Sequence, residues 1–251
     1  MKLLLDGGNS RIKWLWWDTQ TWETPGILVH GGRTDPDLPD RLHAALEQRL
    51  PEAVWVVEVL GEDFRHTCHT LCQQRGWPAP RFLVPDPAPH GICSDYLEPA
   101  RLGVDRYAAM VGARALGYDA AVIVDCGTAV TLDLLMPEGR HHGGLILPGL
   151  GLMRRSLGQA PGVAGAIGGR DDQVAALCTA DAVASGTLQG LAAAITHLGQ
   201  RLLAQATTSP VPPVKLLTGG DATCLYPLLD HHWVMEPHLV FRGLAHMADH
   251  H

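Results

Sequence analysis

The chain contains no G-x-x-x-x-G-K-[ST] segment, and no G-x-G-x-x-G follows its first strand-like run, so the two commonest glycine-rich nucleotide cradles are excluded. It has no uncharged apolar run of about 18 residues, which argues against a membrane partner. Basic runs are missing as well: no Lys/Arg run exceeds two residues and the formal net charge is −7, so the electrostatics offer nothing to a nucleic acid. The six cysteines (Cys68, Cys72, Cys93, Cys126, Cys178 and Cys224) are irregularly spaced, and reduced thiols are expected rather than a disulfide framework. The opening MKLLLDGGNS is interrupted by Asp6 too early to form a signal-peptide core, so a cytoplasmic protein is expected.

What is there is a phrase that occurs twice. LLLDGGNSRIKWLWW and VIVDCGTAVTLDLL are each an apolar run that turns at Asp-x-Gly plus a small polar residue and resumes as a second strand, at nearly half-chain spacing. Glycine lets backbone N–H groups approach phosphate oxygens closely, and Asn9, Ser10 and Thr128 add side-chain donors. A carboxylate repels phosphate, so Asp6 and Asp125 imply an intervening cation, most simply hydrated Mg²⁺. Two such hairpins facing one another would form a phosphate clamp. Either phrase alone also reads as an ordinary hairpin turn.

Along the chain, strands are expected over 2–5, 11–17, 53–60, 82–84, 120–124 and 214–218, with helices over 38–49, 63–75, 102–116 and 181–206, the last broken mainly at Gly186 and Gly190. A proline-rich surface loop is expected from Pro85 to Pro99, and HHGGLILPGLGLMRRSL should give a strand, a loop and a helix entered near Leu150. Gly219-Gly220-Asp221 is a third glycine turn after a strand, suited to an adenine or ribose contact, and the final HMADHH reads as a frayed tail. Strands alternating with helices, in two hairpin-led halves at 1–117 and 118–251, specify an α/β fold with mixed sheets.

Asp6-Gly7-Gly8-Asn9-Ser10 with Lys13, then Leu102-Gly103-Val104-Asp105-Arg106, then Asp125-Cys126-Gly127-Thr128-Ala129, then Gly143-Gly144-Leu145-Ile146-Leu147-Pro148-Gly149 closely resemble, in that order, the type III pantothenate kinases of the acetate and sugar kinase, Hsp70 and actin superfamily. The resemblance implies two ribonuclease H-like halves flanked by helices, with the nucleotide in the cleft between them. It implies ATP- and Mg²⁺-dependent phosphorylation of pantothenate to 4′-phosphopantothenate, the first step of coenzyme A synthesis. By the same resemblance Asp6, Gly7, Gly8, Asn9, Ser10, Arg11, Ile12, Lys13 and Thr128 would bind ATP, and Asp105 would be the catalytic base. Tyr96, Gly103, Val104, Asp105, Arg106 and Thr179 would line the pantothenate site, and Asp125 would be associated with a monovalent cation, K⁺ or NH₄⁺. A homodimer is implied. Two departures stand out: Ser10 where threonine is usual, which keeps the hydroxyl, and Gly7 where an aliphatic residue is usual, which loosens the strand end.

The residues are compatible with those roles. Phosphoryl transfer needs an aligned acceptor and neutralised charge more than covalent chemistry. Asp105 can accept the hydroxyl proton, and the planar fork of Arg106 suits a carboxylate. Rival readings keep the fold with another hydroxyl substrate, or make the protein a non-catalytic regulator. A metal site at His66-Thr67-Cys68-His69-Thr70-Leu71-Cys72 lacks a second pair at finger spacing.

Overall fold

The computed structural model describes residues 1–18, 22–32, 35–85, 91–165, 168–206 and 210–250. Two compact units emerge, Met1–Gly117 with Leu239–His251, and Tyr118–His238. Residues 86–90 of the expected proline-rich loop lie outside the described residues.

In the first unit, β1 (Lys2–Gly7), β2 (Arg11–Trp17), β3 (Gly26–Val29), β4 (Val54–Glu58) and β5 (Arg81–Phe82) form a sheet in the order β3-β2-β1-β4-β5. β1, β2 and β3 pair antiparallel, while β4 and β5 continue the sheet in parallel. All five side chains of β4 are buried, as expected of a strand covered on both faces. Helices α1 (Leu38–Ala45) and α2 (Glu62–Arg75) close one face, where Leu42, Phe64, Cys68 and Leu71 pack on Leu3, Leu5, Ile12, Trp14 and Val56. Gly76 ends α2 in the left-handed region at φ 65, and Trp77 N–H returns to the Cys72 carbonyl at 2.8 Å, a glycine-dependent helix stop. A short strand, β6, spans Cys93–Ser94. Helix α3 (Val104–Ala115) packs against β4, and the C-terminal helix α7 (Leu239–Asp249) against β1 and β4. These two helices touch backbone to backbone: a Cβ on Gly112 would lie 2.1 Å from the Leu239 carbonyl oxygen, and one on Gly243 would lie 1.9 Å from that of Ala108.

The second unit repeats the plan. Strands β7 (Ala121–Cys126), β8 (Ala129–Met136), β9 (Arg140–Pro148), β10 (Val214–Thr218) and β11 (Trp233–Met235) lie in the order β11-β10-β7-β8-β9, the same arrangement of hairpin, third antiparallel strand and two parallel strands. Helices α4 (Leu150–Leu157), α5 (Thr179–Leu203) and the short α6 (Ala222–Leu225) complete it. Leu188, Leu191 and Ile195 of α5 bury against Val122, Val124, Leu132 and Leu134, each worth roughly 1.5–3 kcal/mol when fully withdrawn from water.

Three expectations are corrected. α5 is not broken at Gly186 or Gly190: both lie in open space, and burial of its apolar face outweighs the roughly 1 kcal/mol each glycine costs a helix. The segment read as a frayed tail belongs to α7 as far as Asp249, because Leu244, Met247 and Ala248 are buried at helical spacing. That helix lies in the first unit. The first helix ends at Ala45 rather than at 49, where Leu46 turns to extended backbone.

Candidate functional site

In the first unit, β1 and β2 pair Asp6 with Lys13 and Gly7 with Ile12, and Gly8 N–H closes the turn on the Arg11 carbonyl at 3.1 Å. Lys13 Nζ lies 3.9 Å from Asp6 Oδ2, with the Asp6 side chain 15% exposed. Burial pushes the Asp6 carboxyl up to about 6, Lys13 opposes the rise and the nearby Asp105 carboxylate adds to it. The fold therefore brings two carboxylates and one lysine to one place. Gly7 has a packing reason: a Cβ there would meet the Phe64 ring at 2.6 Å, so α2 supplies the apolar volume that an aliphatic residue at this position would have brought.

His30, at the end of β3, braces the same turn. It is buried; its Nε2 lies 2.9 Å from the Gly8 carbonyl oxygen, and its backbone N–H donates to the Ser10 carbonyl at 3.1 Å. Glu58, opposite Gly7 on β4, accepts hydrogen bonds from Leu60 N–H, Gly61 N–H and Arg65 Nε at 2.6–2.8 Å, fixing the entry to α2. Neither residue figures among the expected site residues. A histidine followed by Gly31-Gly32 at a strand end was the available signal for the first.

Asp105 lies in the first turn of α3, where the helix end favours a negative charge. Its Oδ1 accepts Arg106 N–H at 2.8 Å, and a Cβ on Gly103 would sit 2.6 Å from that oxygen, so glycine leaves the carboxylate its place. Val104 opens the helix. Arg106 is buried, donates from Nη1 to Tyr96 Oη at 2.7 Å and has its guanidinium 5.5 Å from the centre of the Tyr96 ring. The loop tyrosine and the motif arginine, ten residues apart, thus form one unit.

In the second unit, β7 and β8 pair Asp125 with Thr131 and Cys126 with Val130, and Gly127 N–H closes on the Ala129 carbonyl at 3.2 Å. Gly149, which caps α4, donates its N–H to the Thr128 carbonyl at 3.0 Å; a Cβ there would meet the Gly127 and Thr128 carbonyl oxygens at 2.2 and 2.7 Å. Gly219, at φ 97, lies behind Asp125 in the same way, with its would-be Cβ 2.4 Å from Asp125 Oδ1, and Asp221 N–H reaches the Cys126 carbonyl at 2.9 Å. The third glycine turn is therefore part of the Asp125 site. Thr179 is the exposed first residue of α5; nearby, Asp181 Oδ1 accepts Arg170 N–H at 2.8 Å, and Arg154 of α4 donates to Thr187 Oγ1 and the Ala184 carbonyl at 3.1 and 3.0 Å.

The described residues contain no group of three or more His, Cys, Asp or Glu arranged to hold a metal. Cys68 and Cys72 lie buried in α2, and burial pushes both thiols up, Cys72 to about 11.

Two hairpin-led sheets of identical strand order, each turning on an aspartate, define an actin-like ATPase and sugar-kinase fold. Solved structures agree at the level of fold: a Campylobacter jejuni protein provisionally named a Baf family transcriptional activator has a TM-score of 0.62 at 22% identity, covering 98% of this chain and 97% of that one. A Sinorhizobium meliloti protein provisionally named a 2-dehydro-3-deoxygalactonokinase has a TM-score of 0.56 at 16% identity, covering 99% and 96%. By sequence, residues 2–201 match the family described as type III pantothenate kinase. Type III pantothenate kinases of Halorhodospira halophila and Alkalilimnicola ehrlichii are each 36% identical to this chain, over 100% and 98% of its length and 98% and 97% of theirs. The chain belongs to the type III pantothenate kinase family, and is a kinase.

Proposed function

We propose that this chain transfers the terminal phosphoryl group of ATP to the primary hydroxyl of pantothenate, releasing ADP and 4′-phosphopantothenate, with Asp105 as general base. The observation that carries the reading is the placement of Asp6 beside Lys13 and within electrostatic reach of Asp105, at a glycine turn. Asp105 takes the hydroxyl proton as the oxygen attacks phosphorus and the bond to ADP breaks, a contribution of roughly 10²–10⁴-fold for a well-placed base. The 6–13 hairpin offers backbone N–H groups, Ser10 and Lys13 to ATP phosphates, and Thr128 serves the nucleotide from the second hairpin. Arg106, oriented by Tyr96, receives the pantothenate carboxylate, with Gly103 and Val104 at the same substrate.

The donor set fits a hydrated divalent cation. Burial, with a smaller contribution from the Asp105 charge, holds a proton on Asp6 up to about pH 6, and Mg²⁺ is commonly bound through one or two carboxylates plus waters and phosphate. When bound, Mg²⁺ would neutralise charge on the transferring phosphate. Asp125, backed by Gly219, is the residue we assign to K⁺ or NH₄⁺. Exposed apolar side chains on the second unit (Ile146, Val174 and Leu177) support a homodimer. No described helix is long and apolar enough to cross a membrane.

The test is a substrate panel with purified protein and Mg²⁺-ATP, run in K⁺ and in Na⁺. Pantothenate should be the preferred acceptor, with turnover higher in K⁺. A sugar or small hydroxy acid outcompeting pantothenate would overturn the substrate assignment.

A further inference from the structure

We propose that His30 is a positioning residue for the first hairpin, holding the Gly8 carbonyl so that the next peptide N–H, that of Asn9, is aimed at the phosphate. This rests on the reading of the 6–13 hairpin as an ATP-phosphate site.

In the neutral ring the contacts assign the tautomer. Nε2 faces the Gly8 carbonyl oxygen, which can only accept, and Nδ1 accepts Gly32 N–H at 3.0 Å, a shorter contact than the 3.3 Å approach of the Gly32 carbonyl oxygen, so Nδ1 carries the lone pair and Nε2 carries the hydrogen. Nε2–H then donates to the Gly8 carbonyl at 2.9 Å. In a trans peptide the carbonyl and the following N–H point in opposite directions, so tying Gly8 C=O to the ring turns Asn9 N–H away from β3, on an exposed residue at the tip of the turn. The backbone of His30 secures a second carbonyl, that of Ser10, and the two anchors together set the turn's plane.

His30 is itself held. Gly32 sits at φ 99, a conformation that suits glycine, and this lets its N–H fold back onto the ring two residues earlier. Beyond it, Asp35 accepts Gly31 N–H at 2.8 Å and Asp37 N–H at 3.2 Å and pairs with Arg41 at 3.2 Å. Buried and hydrogen-bonded on both ring nitrogens, His30 connects this braced loop to the glycine turn.

The discriminating readout is the ratio of ATP to AMP affinity, since AMP lacks the β- and γ-phosphates. His30→Asn places its amide near Nδ1 and loses the donor to Gly8; His30→Gln can carry a donor to the Nε2 position. His30→Asn should weaken Mg²⁺-ATP binding about tenfold, the scale of one well-placed hydrogen bond, with AMP affinity unchanged, and His30→Gln should recover most of the loss. Equal loss for ATP and AMP, or wild-type ATP binding by His30→Asn, overturns the proposal. If His30→Asn does not fold, Gly32→Ala strains the same loop and replaces it: a selective loss of ATP affinity supports the proposal, and an equal loss or none overturns it. A wild type that binds ATP no better than AMP overturns the underlying reading of the hairpin instead.

Discussion

The two acidic hairpins share a strand plan but are supported in different ways. The first is backed by side chains: Phe64 fills the space over Gly7, Lys13 faces Asp6, Glu58 fixes the neighbouring loop and His30 holds the turn. The second is backed by main chain, with Gly149 against the Gly127 and Thr128 carbonyls and Gly219 against Asp125 and Cys126. Side chains yield by changing rotamer and main chain does not, so the same change should be tolerated at one hairpin and damaging at the other.

The largest expected effect is at the second hairpin. Gly149→Ala and Gly219→Ala each drive a methyl into backbone atoms, the latter also at φ 97, and each should lower the unfolding free energy by about 3 kcal/mol in denaturant titrations. A loss under about 1 kcal/mol would show that the main-chain backing is soft.

Next comes a charge effect confined to the first hairpin. A raised carboxyl pKa means that the folded protein binds more protons than the unfolded chain between about pH 4 and pH 6. Asp6 therefore subtracts stability as pH rises through that window, and the penalty is complete above it. Asp6→Asn should stabilise the metal-free protein at pH 8 by up to about 3 kcal/mol, the equivalent of a shift of about two pH units, and by little at pH 4. A pH-independent difference between wild type and variant would contradict the burial of the Asp6 carboxylate. The same variant should abolish turnover.

The smallest effect is Gly7→Ala, where the methyl meets only the Phe64 ring and Glu58 Cβ: a loss near 1 kcal/mol, with ATP affinity retained, measured by the same titration and by nucleotide binding. A loss as large as that of Gly149→Ala would erase the contrast.

These contrasts explain what could be read beforehand. β2 and β10 match the expected spans, and the helix carrying Asp105 starts within two residues of expectation, because their apolar runs and bounding turns are local signals. The paired aspartates and the Gly103–Arg106 motif are local for the same reason. β3, the continuity of α5 and the length of α7 depend on partners elsewhere in the chain: Gly26–Val29 becomes a strand by pairing with β2, and α7 becomes a helix end by resting on α3. The braces at the site, His30 to Gly8 and Gly149 to Thr128, are likewise contacts between distant residues that no spacing rule announces.

The most direct test of the proposed mechanism is Asp105→Asn, compared with wild type for pantothenate phosphorylation, Mg²⁺-ATP affinity and unfolding midpoint. Asparagine keeps the shape and an acceptor for Arg106 N–H, so folding and nucleotide binding should persist while kcat falls roughly 10²–10⁴-fold. Turnover within a few-fold of wild type would remove Asp105 as the base and, with it, the mechanism built on the α3 N-terminus.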